Sequence, residues 1–179
     1  MEHIFVSEIT TFLESVHFFS PSQHGFLEKR SCESQLLLTS NDFMRSLNSK
    51  GQTDAVVLDF SKAFDTVPHR RLLSKLSSLN LHLSTLFWLT SFLSNRFQRV
   101  RVNGHSSPYV PVTSGVPQGT VLGPLLFLIY INDISSSVSS STIRLFADDF
   151  LLYKSISSYQ DSVLLQSDLD SLQLWSDLW

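Results

Sequence analysis

Aspartates stand at the ends of two apolar runs, and these are the residues best placed to do chemistry. Asp59 follows Ala55-Val56-Val57-Leu58 and opens the stretch Asp59-Phe60-Ser61-Lys62-Ala63-Phe64-Asp65. Far along the chain, Phe146-Ala147-Asp148-Asp149 lies between Ile143-Arg144-Leu145 and Phe150-Leu151-Leu152-Tyr153. Each motif puts a carboxylate at the end of what reads as a buried strand. Burying an ionised carboxylate is costly unless a cation compensates it. Two such ends brought together form an oxygen-only site suited to Mg²⁺. That is the layout of a two-metal phosphoryl-transfer centre.

The elements that must position these acids follow from period and punctuation. Ile4, Phe5, Ile9, Phe12, Leu13 and Val16 recur at helical spacing over 4–19, until Pro21 and Gly25 interrupt. A second helix is expected over Glu33 to Leu47, stopped by Gly51, and a buried strand over Ala55 to Phe60. Helices follow over 71–79 and 81–93, with Phe87, Trp88 and Phe92 read as core of the second. Arg99 to Val102 alternates with period 2 and Tyr109 to Thr113 follows a polar loop, so two strands are expected there. Pro111 marks the second as an edge. Gly115-Val116-Pro117-Gln118-Gly119 is a turn, and Val121 to Ile131 an apolar helix that tolerates Pro124 near its start. After a serine-rich loop, 142–147 and 150–154 read as a hairpin turning at Asp148-Asp149. The tail from Tyr159 repeats Val163, Leu164, Leu169, Leu172 and Trp175 as a helix. Its apolar face, and that of the first sixteen residues, is expected to be unusually exposed at Val163, Leu164, Leu172, Trp175 and Trp179.

Bulk properties set the outer bounds. The chain has 179 residues, 42% of them apolar, enough for one domain or one and part of another. Its net charge of −3 is unlike a typical nucleic-acid binder. The charge is unevenly spread, however. No acid lies between Asp65 and Asp133, while Arg96, Arg99 and Arg101 cluster there, as a solvated face or as a track for phosphates. A single cysteine, Cys32, allows no internal disulfide and fits a reducing intracellular setting, nucleus or cytoplasm undetermined. No leader is read at the N-terminus. The run 121–131 is too short for a membrane span of about 20 residues, so no membrane is expected. The sequence sets no oligomeric state.

Four motifs, in order, resemble the reverse transcriptases of non-LTR (LINE-like) retrotransposons. Gln23-His24-Gly25-Phe26 with Ser31 resembles a fingers motif of that family. Leu58-Asp59-Phe60-Ser61-Lys62-Ala63-Phe64-Asp65 resembles its first palm motif, A. Ser114-Gly115-Val116-Pro117-Gln118-Gly119 followed by Leu122-Gly123-Pro124-Leu125-Leu126-Phe127 resembles motif B. Phe146-Ala147-Asp148-Asp149 resembles motif C, the aromatic-x-Asp-Asp sequence. Group II intron maturases and retron polymerases fit this combination less well.

The resemblance implies an α+β fold: a right-hand polymerase palm, with an antiparallel sheet and helices on one face, plus partial fingers. Residues 1–53 would be a fingers segment and 54–179 the palm with motifs A, B and C. It also implies RNA-directed DNA synthesis on an RNA template and DNA primer, with dNTPs as substrates. Asp59, Asp148 and Asp149 would be catalytic and would hold two Mg²⁺ ions, with Mn²⁺ as a substitute. Phe60, Phe64, Gln118 and Gly119 would meet the substrate, Phe64 as a steric gate against a 2′-hydroxyl. Lys29 and Arg30 lie where a fingers cation would reach triphosphate. A thumb and a first fingers strand, expected in the family, are expected to be absent here. The alternative to an active core is therefore an inactive palm fragment with residual nucleic-acid binding.

Overall fold

The computed structural model describes residues 2–179. In chain order they form α1 (Glu2–Ser15), α2 (Cys32–Asn48), β1 (Gln52–Asp59), the single turn α3 (Ala63–Thr66), α4 (His69–Ser77) and α5 (Leu83–Leu93). Four short strands follow, β2 (Phe97–Gln98), β3 (Arg101–Val102), β4 (His105–Ser106) and β5 (Val110–Pro111). Then come α6 (Leu122–Ile131), a 3-10 segment Asn132–Ser137, β6 (Thr142–Phe146), β7 (Asp149–Ile156) and α7 (Tyr159–Leu178). The chain divides into two compact units. One holds the residues up to Ile9 and Lys62–Tyr130; the other holds Thr10–Ser61 and Ile131–Trp179.

The second unit is built on an antiparallel sheet in the order β1-β7-β6. Register places Val56 and Ile143 on either side of Leu152, and Leu58 and Leu145 on either side of Phe150. Side chains alternate across a strand, so these residues share one face. The tail helix α7 packs on it, with Phe60 against both Phe150 and Trp175. The opposite face carries Thr53, Ala55, Val57 and Asp59 on β1 and Asp149, Leu151, Tyr153 and Ser155 on β7. Helix α2 covers its far end. Phe43 meets the Tyr153 ring edge-on, and Asp42 takes hydrogen bonds from Arg144 at 2.7 Å and from the Tyr153 hydroxyl at 2.5 Å. Ser46 bonds Thr53 and Ser155 there. Helix cover thus extends beyond the single face expected. The near end of this face stays open, and Val57 is 81% exposed. The apolar run 55–60 is therefore not a buried strand. Among the described residues β1 is an edge strand, paired on one side by β7.

Helix α7 buries a stripe of Leu165, Asp168, Leu172 and Trp175. Leu172 and Trp175 are therefore not exposed as expected, whereas Val163 is. The acid on this stripe is the informative member. Asp168 is 2% exposed and accepts backbone N–H bonds from Ser139 at 2.9 Å, Ser140 at 3.0 Å and Ser141 at 2.7 Å. It thereby closes the serine-rich loop into β6. Burial pushes its carboxyl up, but the bonds from Ser139, Ser141 and Ser140 outweigh that and hold it below the ordinary carboxylate range.

The first unit holds most of α6, a charge-free helix whose residues from Leu125 to Tyr130 are all buried. Leu72 and Leu76 of α4 and Leu89 and Leu93 of α5 are buried in the same unit. Phe5 stacks on Trp88 at 3.9 Å, but Phe87 is 74% exposed rather than core. The two strands expected over 99–113 are shorter and shifted. β2 pairs with β5 and β3 with β4. Arg99 falls between the pairs, with its guanidinium over the Tyr109 ring. No helix among the described residues is long and apolar enough to cross a membrane.

Asp168 gives a pH-dependent test. Its depressed carboxyl contributes stability that is present above its unfolded pKa of about 3.9 and lost as pH falls through the lower folded value. Asp168→Asn loses charged acceptor bonds and is expected to cost about 1–3 kcal/mol at pH 7. Thermal melts of both chains from pH 7 down to pH 3 should show the gap closing at the acid end.

Candidate active site

The sheet brings the two acidic motifs to one edge. Asp59, the last residue of β1, lies directly opposite Asp149, the first of β7. Across the hairpin, Phe146 pairs with Asp149, which leaves Ala147 and Asp148 as the two-residue turn. The turn is therefore one residue earlier than expected. The shift puts Asp149 into the ladder and Asp148 at the tip. The residue bearing the positive φ is Ala147, at 55°, not an aspartate. Ala147 tolerates this because its backbone is gripped from elsewhere: its N–H donates to Gln23 Oε1 at 2.8 Å, and its carbonyl accepts from Gln23 Nε2 at 3.3 Å.

Like charges directly opposite each other destabilise a sheet, so an Asp59–Asp149 pair is a poor choice for stability alone. Asp148 adds a third carboxylate beside them. Its pKa is raised, first by burial, with its own backbone N–H working against this, and further by the charges of Asp149 and Asp59. Asp148 thus lies within electrostatic reach of both other acids. Among the described residues, no group of three or more His, Cys, Asp or Glu side chains closes on a point ready to hold a metal ion. The donor chemistry nonetheless fits a hard divalent cation, being oxygen-only and strongly negative. Asp59, Asp148 and Asp149 are the residues that would supply it.

Phe60 faces the α7 side, with its ring 5.2 Å from Phe150 and 6.2 Å from Trp175. Phe64, Gln118 and Gly119 belong to the first unit. There the Phe64 ring stacks on Phe127 at 4.2 Å. Gln118 is exposed and donates from Nε2 to Asp65 at 2.8 Å, while the Ser114 hydroxyl donates to the Asp65 carbonyl. Asp65 therefore orders the motif-B loop. Gly115 approaches it so closely that a Cβ would lie 2.7 Å from the Asp65 carbonyl oxygen. Gly119, at φ 76°, faces open space. Asp65, Ser114, Gly115 and Gln118, together with Lys62, Arg96 and Gln98, line a cleft of about 610 Å³. Arg30 is not placed to reach a triphosphate. Its guanidinium is committed to the carbonyls of Ser20, Pro21 and Gln23.

In the sequence Gln23 and Gly25 stand only within a motif, and nothing local marks their contact with the Asp148 turn. Asp168 has a local signal, an acid on the spacing 165/168/172/175.

The family described as reverse transcriptase (RNA-dependent DNA polymerase) matches residues 1–177. The chain belongs to this family. It is 30% identical over 190 residues to the RNA-directed DNA polymerase from mobile element jockey of Drosophila melanogaster, an alignment covering 100% of the chain and 20% of that protein. It is 29% identical over 187 residues to the probable RNA-directed DNA polymerase from transposon BS of the same fly, covering 99% and 20%. This reverse transcriptase chain therefore spans about a fifth of the length of the curated relatives it matches. Both of these relatives are named as RNA-directed DNA polymerases of mobile elements. Among solved structures, apo telomerase from Candida tropicalis, truncated from its C-terminal domain, aligns with a TM-score of 0.64 at 12% identity, covering 97% of this chain and 37% of that one. The fold is that of a right-hand polymerase.

The crowding of Asp148 predicts opposite responses with and without metal. In metal-free buffer at pH 7, Asp148→Asn removes one of three like charges and should raise Tm. Adding Mn²⁺ should raise the Tm of the wild-type chain by mass action and leave Asp148→Asn nearly unmoved. Differential scanning fluorimetry with and without Mn²⁺ reads both.

Proposed function

We propose that the chain carries the catalytic carboxylates of an RNA-directed DNA polymerase, which transfers a nucleotide from a dNTP to a primer 3′-hydroxyl. The observation that carries this reading is the register that sets Asp59 opposite Asp149 with Asp148 in the adjoining turn. In the reaction, the primer oxygen forms a bond to the α-phosphorus and the bond to pyrophosphate breaks. Asp59 and Asp148 would hold two Mg²⁺ ions, with Asp149 completing the negative cluster. When bound, the ions would lower the pKa of the 3′-hydroxyl and neutralise charge on the triphosphate. The open sheet face beside Val57 leaves the acids accessible to a large polyanion. The acid-free span between Asp65 and Asp133 supplies cations for template and primer phosphates.

On the nucleotide side, Phe64 is held by its stack on Phe127, which suits a ring meant to exclude a 2′-hydroxyl. Gly119 offers backbone that a nucleotide can approach closely.

RNA-templated primer extension tests the reading. Any incorporation is expected to need Mg²⁺ or Mn²⁺ and to fall to background in Asp59→Asn and in Asp148→Asn. Incorporation that survives either substitution would sink the assignment. Where incorporation is measurable, Phe64→Val is expected to raise rNTP use relative to dNTP by about tenfold or more, the factor that goes with 1.4 kcal/mol of lost steric exclusion.

A further inference from the structure

The turn that carries Asp148 is held by a segment 124 residues upstream in sequence. Gln23 is 2% exposed, and its side-chain amide bonds this turn and its own loop. Oε1 accepts from the N–H groups of Ala147 and Gly25, each at 2.8 Å, and Nε2 donates to the Ala147 carbonyl at 3.3 Å. The backbone on either side follows β6. His24 N–H donates to the Leu145 carbonyl at 2.8 Å, and Leu145 N–H donates to the Ser22 carbonyl at 2.9 Å. Gln23 and Leu145 thus form a parallel bridge beside the hairpin. Gly25 makes the approach sterically possible, since a Cβ there would lie 2.4 Å from the Ala147 nitrogen. Arg30 braces the segment from outside through three of its carbonyls.

A left-handed alanine is disfavoured by about 1–2 kcal/mol relative to its ordinary conformations. Both backbone polar groups of Ala147 are shielded from water, and Ala147 is 4% exposed. Without Gln23 those groups would be buried and unsatisfied, and the turn would relax toward another conformation. Any relaxation at Ala147 re-aims the next residue, Asp148.

We propose that Gln23 and Gly25 are positioning residues for the catalytic turn: Gln23 fixes Ala147 in its left-handed conformation, Gly25 gives it room, and together they set where the Asp148 carboxylate meets metal. The inference rests on the metal reading of Asp148 given above. It extends that reading to two residues that touch neither substrate nor metal.

The test uses the 179-residue chain, Gln23→Met as a near-isostere without hydrogen bonding, and Gly25→Ala as a steric push that leaves Gln23 intact. Two quantities are read well below Tm: hydrogen exchange of the Ala147 amide by NMR, and Mn²⁺ affinity by water proton relaxation. In the wild-type chain, Ala147 should be protected although it lies in a turn. Gln23→Met should speed its exchange about tenfold, the loss of one buried hydrogen bond, and weaken Mn²⁺ by a similar factor. Gly25→Ala should weaken Mn²⁺ likewise. A merely structural Gln23 would lower Tm with Mn²⁺ affinity unchanged in the folded variant, and that result overturns the proposal. So does a freely exchanging Ala147 amide in the wild-type chain, a measurement that stands even if Gln23→Met does not fold. Failure of the underlying metal reading looks different: wild-type Mn²⁺ binding that Asp148→Asn leaves intact, in which case Ala147 exchange alone decides the clamp.

Discussion

Electrostatic repulsion at one end of a three-stranded sheet is the constraint around which this unit is arranged. Asp59 and Asp149 face each other across paired strands, and Asp148 is pressed beside them with its pKa raised. Nothing in sheet energetics favours such a placement. The surrounding structure must therefore impose it. The apolar ladder Val56–Leu152–Ile143 and Leu58–Phe150–Leu145, closed over by α7, fixes the register. A slip of one residue would turn every one of those side chains to the wrong face, so hydrophobic burial holds the carboxylates where their own charges oppose being.

The same arrangement divides the open face into two regimes. Far from the acids, α2 lays Asp42 against Arg144 and Tyr153, and Ser46 against Thr53 and Ser155. Burial comes first among the influences on Asp42 and would raise its carboxyl, but the bonds from Tyr153 and Arg144 bring it below the ordinary range. The Tyr153 hydroxyl, itself buried against that acid, is pushed up to about 12. Near the acids Val57 is left to solvent. One half of the face is a satisfied polar network and the other is bare.

Much of this was legible from residue patterns, and the reasons are local. The apolar runs before Asp59 and around Asp148 read as strands because β-branched and aromatic residues cluster there. Helices α2, α4, α5 and α7 announced themselves by spacing, helped by Gly51 after α2 and Pro68 before α4. The acids could be singled out because carboxylates closing apolar runs are costly. What escaped was non-local. Period alone could not say that β1 is an edge strand, so its apolar run looked buried. The hairpin turn was placed one residue late, because aspartate tolerates positive φ better than alanine. The deciding factor was a glutamine more than a hundred residues away. The stripe on α7 was misread for a similar reason: Asp168 broke the apolar pattern, yet it is buried because the serine loop brings its amides to it.

The sheet order also governs when the molecule can come into being. Among the described residues β1 pairs with β7 alone, and almost all of the first unit lies between them in sequence. During synthesis, β1 leaves the ribosome long before its partner exists. At about 5–20 residues per second it waits several seconds with its edge and its valines unpaired. Contacts so distant in sequence also form slowly, because loop-closure entropy must be met before they contribute. The acidic cluster therefore cannot assemble before β7 docks, and until then a nascent chain holds separated aspartates.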